Sequence, residues 1–143
     1  MTKYLAACTA LVLCALTACS NANPPPATDD LVPGTLDVAV DGRPVDSPDG
    51  VKCERISSYT TLTSGDDGST VRVLLDSAPE MRPVSVQLVD VGGFTGSYLA
   101  DLQGDAQAHL DGSTFVVTGQ ADGFFADRPS GRATGEFAIS FAC

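Results

Sequence analysis

Few side chains in this sequence have the type and spacing to do chemistry, and the first of them is a thiol. The run Leu16-Thr17-Ala18-Cys19 closes a short apolar segment and has the pattern of a lipobox. That pattern needs a small residue at the cleavage edge, here Ala18, and then a cysteine whose sulfur takes a diacylglyceryl group. Upstream, Lys3 gives a sparse positive charge, and the apolar stretch from Leu5 to Leu16 is too short to span a bilayer as a mature helix. Residues 1–18 therefore read as a removable signal peptide, with Cys19 as the first mature residue. Two or three palmitate-class chains there would hold the protein on the extracytoplasmic face of the cell membrane, because each buried methylene adds about 0.8 kcal/mol. An ordinary secretory signal cut near Ala18, leaving Cys19 unmodified, is the alternative.

Of five cysteines, Cys8 and Cys14 leave with the signal and Cys19 is the lipidation site. Cys53 and Cys143 remain, an even pair with no nearby histidine in an exported chain, which reads as a disulfide rather than as two free thiols. Closing so long a loop is worth roughly 4 to 5 kcal/mol in the chain-entropy model. Cys143 shares the parity of Phe137, Ile139 and Phe141, so the bond is expected to be buried.

Catalysis and metal binding find little to work with. The single histidine, His109, falls on the polar parity of its segment and is expected to face solvent. No Ser-His-Asp set can be assembled without it. Asp66-Asp67-Gly68-Ser69 and Asp49-Gly50 have turn chemistry, and their spacing does not supply the alternating oxygen ligands of a calcium loop. No phosphate-binding glycine loop is present. The sequence therefore predicts no catalytic residue, no metal and no cofactor. Gly123-Phe124-Phe125-Ala126-Asp127-Arg128-Pro129 places two adjacent aromatics in what reads as a loop before the last strand. Adjacent residues on an extended segment cannot both face a core, so Phe124 or Phe125 is a candidate contact for a partner or an acyl chain, unless the loop folds over both. Gly92-Gly93-Phe94-Thr95-Gly96 poses the same question more weakly.

The elements that position these residues are strands. A polar, proline-rich stretch including Pro24-Pro25-Pro26 makes residues 19–34 a tether, locally stiff through polyproline II. From residue 35 to 143 the pattern has a period of two. Leu36, Val38 and Val40 share a face ahead of the turn signal Asp41-Gly42; Val71, Val73 and Leu75 alternate likewise, as do Val84, Val86 and Leu88. Val89 and Val91 then take the opposite parity, which predicts a bulge near Leu88 or Val89. Ala106, Ala108 and Leu110 lead through Asp111-Gly112 to Phe115 and Val117 as a hairpin. One helical signal stands apart, the capping-box spacing of Ser77-Ala78-Pro79-Glu80, which Pro83 ends almost at once. About eight short strands with Gly, Asp and Pro turns predict an all-β fold, an antiparallel sandwich or open barrel.

The 125 residues after the signal suffice for one domain with a real core. They carry seven Lys or Arg against eighteen Asp or Glu, a formal net charge of −11. Such a surface repels nucleic acid and anionic lipid headgroups.

Several of these segments, in this order, resemble the mycobacterial LpqH-type lipoprotein antigens. The matching residues are Val40-Asp41-Gly42, Cys53, Pro83-Val84-Ser85-Val86, Gly104-Asp105-Ala106, Asp111-Gly112-Ser113, Thr118 to Gly123, and the ending Phe137 to Cys143. With the lipobox and the two-cysteine frame, the resemblance covers roughly Asp37 to Cys143. It implies a surface-exposed envelope antigen without enzymatic activity, recognised by host innate receptors through its acylated amino terminus, so that Cys19 is the functional residue. Members of the family have a longer, threonine-rich spacer, whereas here only Ser20 and Thr28 offer hydroxyls. A carrier of envelope lipid or glycolipid is the competing expectation, and it requires a cavity of several hundred cubic ångströms.

Overall fold

A computed structural model of the chain describes residues 30–143; the expected signal, Cys19 and most of the tether lie outside the described residues. Ten strands follow one another: β1 (Leu36–Val40), β2 (Arg43–Val45), β3 (Lys52–Ile56), β4 (Tyr59–Gly65), β5 (Thr70–Asp76), β6 (Arg82–Val91), β7 (Phe94–Leu99), β8 (Asp105–Asp111), β9 (Thr114–Phe125) and β10 (Ala133–Ala142). All pair antiparallel in one sheet ordered β2-β1-β10-β9-β7-β6-β5-β4-β3, with β8 alongside β9. The sheet curls into a half-barrel, so the open-barrel expectation holds, with ten strands instead of eight.

The alternating apolar residues line up across strands into continuous rows. Leu36, Phe141, Phe115 and Leu110 form one; Val38, Ile139, Val117 and Ala108 a second; Val40, Phe137, Gly119 and Ala106 a third. On the other half of the sheet, Cys53, Leu62, Val73, Val86 and Tyr98 stand in register. The inner face formed by these rows is the core. Each large side chain that it removes from water contributes roughly 1.5–3 kcal/mol. Tyr98 directs its hydroxyl to the Pro83 carbonyl at 3.4 Å, and burial, with Asp101 and Asp105 nearby, pushes its phenol pKa up. β6 keeps its inner residues facing inward by breaking register twice. One irregularity lies opposite Leu74 and Leu75, and a second lies between Leu88 and Val91, where the parity switch predicted it.

The capping-box segment is not a helix. Residues 77–81 form a turn between β5 and β6, in which Asp76 Oδ1 accepts the Ala78 N–H at 3.1 Å. The side chain of Asp, one residue earlier than the expected cap, captures the backbone donor, and both neighbouring segments are recruited as paired strands. The Asp41-Gly42 turn forms as expected, with φ of 50° and 72°, the two positive values that a tight hairpin turn requires.

The disulfide forms between Cys53 and Cys143, whose Cα atoms lie 5.8 Å apart. It is exposed, not buried. Cys143 does continue the inward parity of β10, but it stands beyond the end of the strand. Its partner lies on β3, an edge strand exposed along its whole length.

Two predictions follow from this architecture. Replacing Cys53 and Cys143 together by serine removes a closure spanning 90 residues, and denaturant titration should show a loss of about 4–5 kcal/mol. The second concerns acid. The backbone bond from Ala78, then a hydrogen bond from Ser58 and the charge of Arg82, hold the Asp76 carboxyl below its ordinary value against the opposing effect of burial. The folded pKa is thus lower than the unfolded one, near 3.9. Its stabilisation is complete above that value and lost as pH falls through the folded pKa. Asp76→Asn should flatten the fall in stability across that acid window, as read by urea titrations on either side of it.

Candidate functional site

The described chain enters the domain at a rim where β3, the β8–β9 turn and the carboxyl terminus meet. Asp30 is seated on that turn: its Oδ1 accepts the Ser113 N–H at 3.2 Å. The seat requires Gly112, at φ +58°, because a Cβ there would meet the Asp30 carboxylate. The Leu31 N–H donates to Thr114 Oγ1 at 3.0 Å. Val32-Pro33-Gly34-Thr35 then turns, with the Thr35 N–H on the Val32 carbonyl at 3.1 Å. Pro at the second position and Gly at φ +85° at the third are the residues a type II turn demands. Gly34 N–H to the Ala142 carbonyl (2.9 Å) and Ala142 N–H to the Thr35 carbonyl (3.2 Å) join the segment to the end of β10. Asp30–Thr35 is therefore a strap bound to the fold.

Beside the strap lies a shallow pocket of about 270 Å³, lined by Pro33, Arg55, Leu110, Ser113, Phe115, Ala142 and Cys143. Leu110 and Val32 stand half and largely exposed, at 52% and 70%. The lining offers apolar contact, the Arg55 guanidinium and the Ser113 hydroxyl, which lies 3.5 Å from Asp30 Oδ1. A wider depression of about 520 Å³ involves Leu102, Gln103, Asp122, Arg132 and Thr134. Two of its polar side chains are held by hydrogen bonds. The Gln103 amide donates to the Ser97 carbonyl at 3.0 Å, and Thr134 Oγ1 donates to Asp122 Oδ1 at 3.1 Å.

The structure separates the two adjacent phenylalanines. They end β9 and do not form a loop: β9 runs on to Phe125 because Thr95 and Phe94 of β7 pair with Phe124 and Phe125. Phe125 turns inward and packs against Phe94, ring centroids 5.1 Å apart, whereas Phe124 faces out and is 37% exposed. Phe94 is wholly buried after a Gly92-Gly93 hairpin turn, with its ring lying over Gly96 and Gly135, where any Cβ would collide with it. Phe94 is the aromatic that the sequence pattern conceals, and the glycines at inward positions, Gly96 and Gly135, are its signal.

His109 is exposed on β8, as its parity predicted. Asp66 accepts the Gly68 N–H at 3.0 Å, so the Asp66-Asp67-Gly68 run is turn chemistry as read. Among the described residues no group of three or more His, Cys, Asp or Glu could hold a metal ion. Cys19 lies outside the described residues.

The two aromatic positions should differ sharply under truncation. Phe94→Ala should cost about 3–5 kcal/mol, and Phe124→Ala roughly 0.5 kcal/mol or less, when both are measured by equilibrium unfolding.

Comparison with known proteins assigns the β-domain to a family. A family described as the Mycobacterium 19 kDa lipoprotein antigen matches residues 29–143. A protein named as a lipoprotein in Mycobacterium avium subsp. hominissuis (strain TH135) is 34% identical over 135 residues, covering 94% of this chain and 90% of its own length. Another, from Mycobacterium indicus pranii (strain DSM 45239 / MTCC 9506), is 33% identical over 65% of this chain and 68% of its own. The protein named lipoprotein LppE of Mycobacterium tuberculosis (strain ATCC 25618 / H37Rv) is 32% identical over 64% of this chain and 66% of its own. None of these names is that of an enzyme. With a family match that takes in the whole β-domain, the chain belongs to the mycobacterial 19 kDa lipoprotein antigen family.

Proposed function

We propose that this protein is a non-enzymatic display module of the mycobacterial envelope, held on the extracytoplasmic face of the membrane by acyl chains on Cys19. In this reading the acylated amino terminus is what host innate receptors recognise, and the β-domain is presented to partners outside the cell. The observation that carries the reading is the seat of Asp30. The chain coming from Cys19 is received on the β8–β9 turn by hydrogen bonds to Ser113 and Thr114. A domain held by its amino terminus therefore has a fixed point of attachment.

The alternative of a lipid or glycolipid carrier is less well supported. Its cavity would have to lie inside the curl, and that space is taken by Phe94, Phe137, Phe141, Leu62, Leu75 and Leu88, all essentially inaccessible to solvent. The rim pocket, at about 270 Å³, falls below the roughly 300–1,000 Å³ of small-molecule sites, and the depression of about 520 Å³, which reaches that size, presents Gln103, Asp122, Arg132 and Thr134 where an acyl chain needs apolar walls.

The test is the fate of a Cys19→Ala variant expressed with its signal in a mycobacterial host. The parent protein should partition to the membrane fraction, and the variant should become soluble while keeping the Cys53–Cys143 bond by mass. A variant that stayed in the membrane fraction would sink the anchor reading.

A further inference from the structure

The end of the domain that receives the strap is also where apolar side chains stand unpartnered. Val32 and Leu110 are 70% and 52% exposed, and between them Pro33 and Phe115 line the rim pocket with Arg55. Ile56, next to Arg55 on the opposite face of β3, is exposed together with its cross-strand partner Tyr59. These residues come from five parts of the chain, the strap, β3, β4, β8 and β9, and the fold gathers them on one rim.

We infer that this rim is a membrane-contact surface, on which the domain rests against the bilayer that anchors it. The inference rests on the anchor reading above. The covalent geometry supports a lipid surface as the occupant. Eleven peptide units separate Cys19 from Asp30, and at 3.3–3.6 Å each they reach at most about 40 Å. Asp30 is seated on the rim, so the rim lies within that distance of the anchor. Tethering over so short a span gives an effective concentration on the order of millimolar. A patch of a few apolar side chains, too weak to hold a free domain on a vesicle, is engaged most of the time at that concentration. Exposed valine, leucine and isoleucine suit the acyl boundary, tyrosine suits the interface, and the Arg55 guanidinium suits the phosphate layer. Asp30 and Asp111 lie on the same rim as Arg55, so the apolar side chains, and not net charge, carry the contact.

The test uses mature, lipidated protein in phosphatidylcholine vesicles that carry a bilayer-embedded quencher. One sample bears an environment-sensitive fluorophore on Val32→Cys. The reference bears it on Asp67→Cys, in the β4–β5 turn, at the opposite end of β4 from Tyr59. Contact predicts a blue shift and quenching at residue 32, none at residue 67, and loss of the shift at residue 32 when Leu110→Asp is added. If both labels read as in water while the protein floats with the vesicles, docking is overturned and the anchor stands. A shift at residue 32 that survives Leu110→Asp also overturns docking, because the tether alone would then bring that residue to the membrane. Protein left in the soluble fraction overturns the anchor and the docking together.

Discussion

An apolar face on a curled sheet has to be closed, and hydrogen bonding does not close this one. From β10 the ladder runs through β9, β7, β6, β5 and β4 to β3 and there stops. The inner rows then end at an edge strand exposed on both sides. The Cys53–Cys143 bond joins that edge to the end of β10, turning an open ribbon into a covalent ring. A second pin acts farther along the same gap. Ser64, wholly buried, donates to the Pro48 carbonyl and lies 3.2 Å from that of Asp49, and the Gly65 N–H bonds Asp49 at 2.7 Å. The crossing from β2 to β3 is thereby held against β4. Without these two pins, the curl that buries Leu62, Val73 and Val86 would have no fixed end.

Inside the ring, size is balanced row by row. Gly119 stands opposite Phe137 and Gly123 opposite Gly96, and the Phe94 ring takes the space that Gly96 and Gly135 leave empty. Large rings over bare backbone fill a narrow interior at native density.

The sequence made the strands with apolar inner faces legible: β1, β5, β6, the β8–β9 hairpin and β10 all carry Val, Leu, Ile or Phe at alternate positions. It concealed the strands whose inward residues are of other types. β4 turns Thr60, Leu62 and Ser64 inward, β7 turns Phe94, Gly96 and Tyr98, and β3 buries nothing, so none shows a hydrophobic period of two. The Cys53–Cys143 pairing was readable from cysteine count and export, but its exposure was not, because parity fixes the direction of a side chain and not whether anything covers it. The strap was hidden as well. Pro33-Gly34 signals a turn, yet only the fold shows that Asp30 and Leu31 bond to residues more than eighty positions away.

β1 has its long partner in β10, with Leu36 opposite Phe141 and Val40 opposite Phe137. The first strand of the domain thus waits for the last, and the ring cannot be sealed before Cys143 itself is available. Contacts of such sequence separation make folding slow. The consecutive strands β3 to β7 pair with sequence neighbours, whereas β1 finds its long partner only in the last strand, so the two ends of the domain depend on each other while its middle does not.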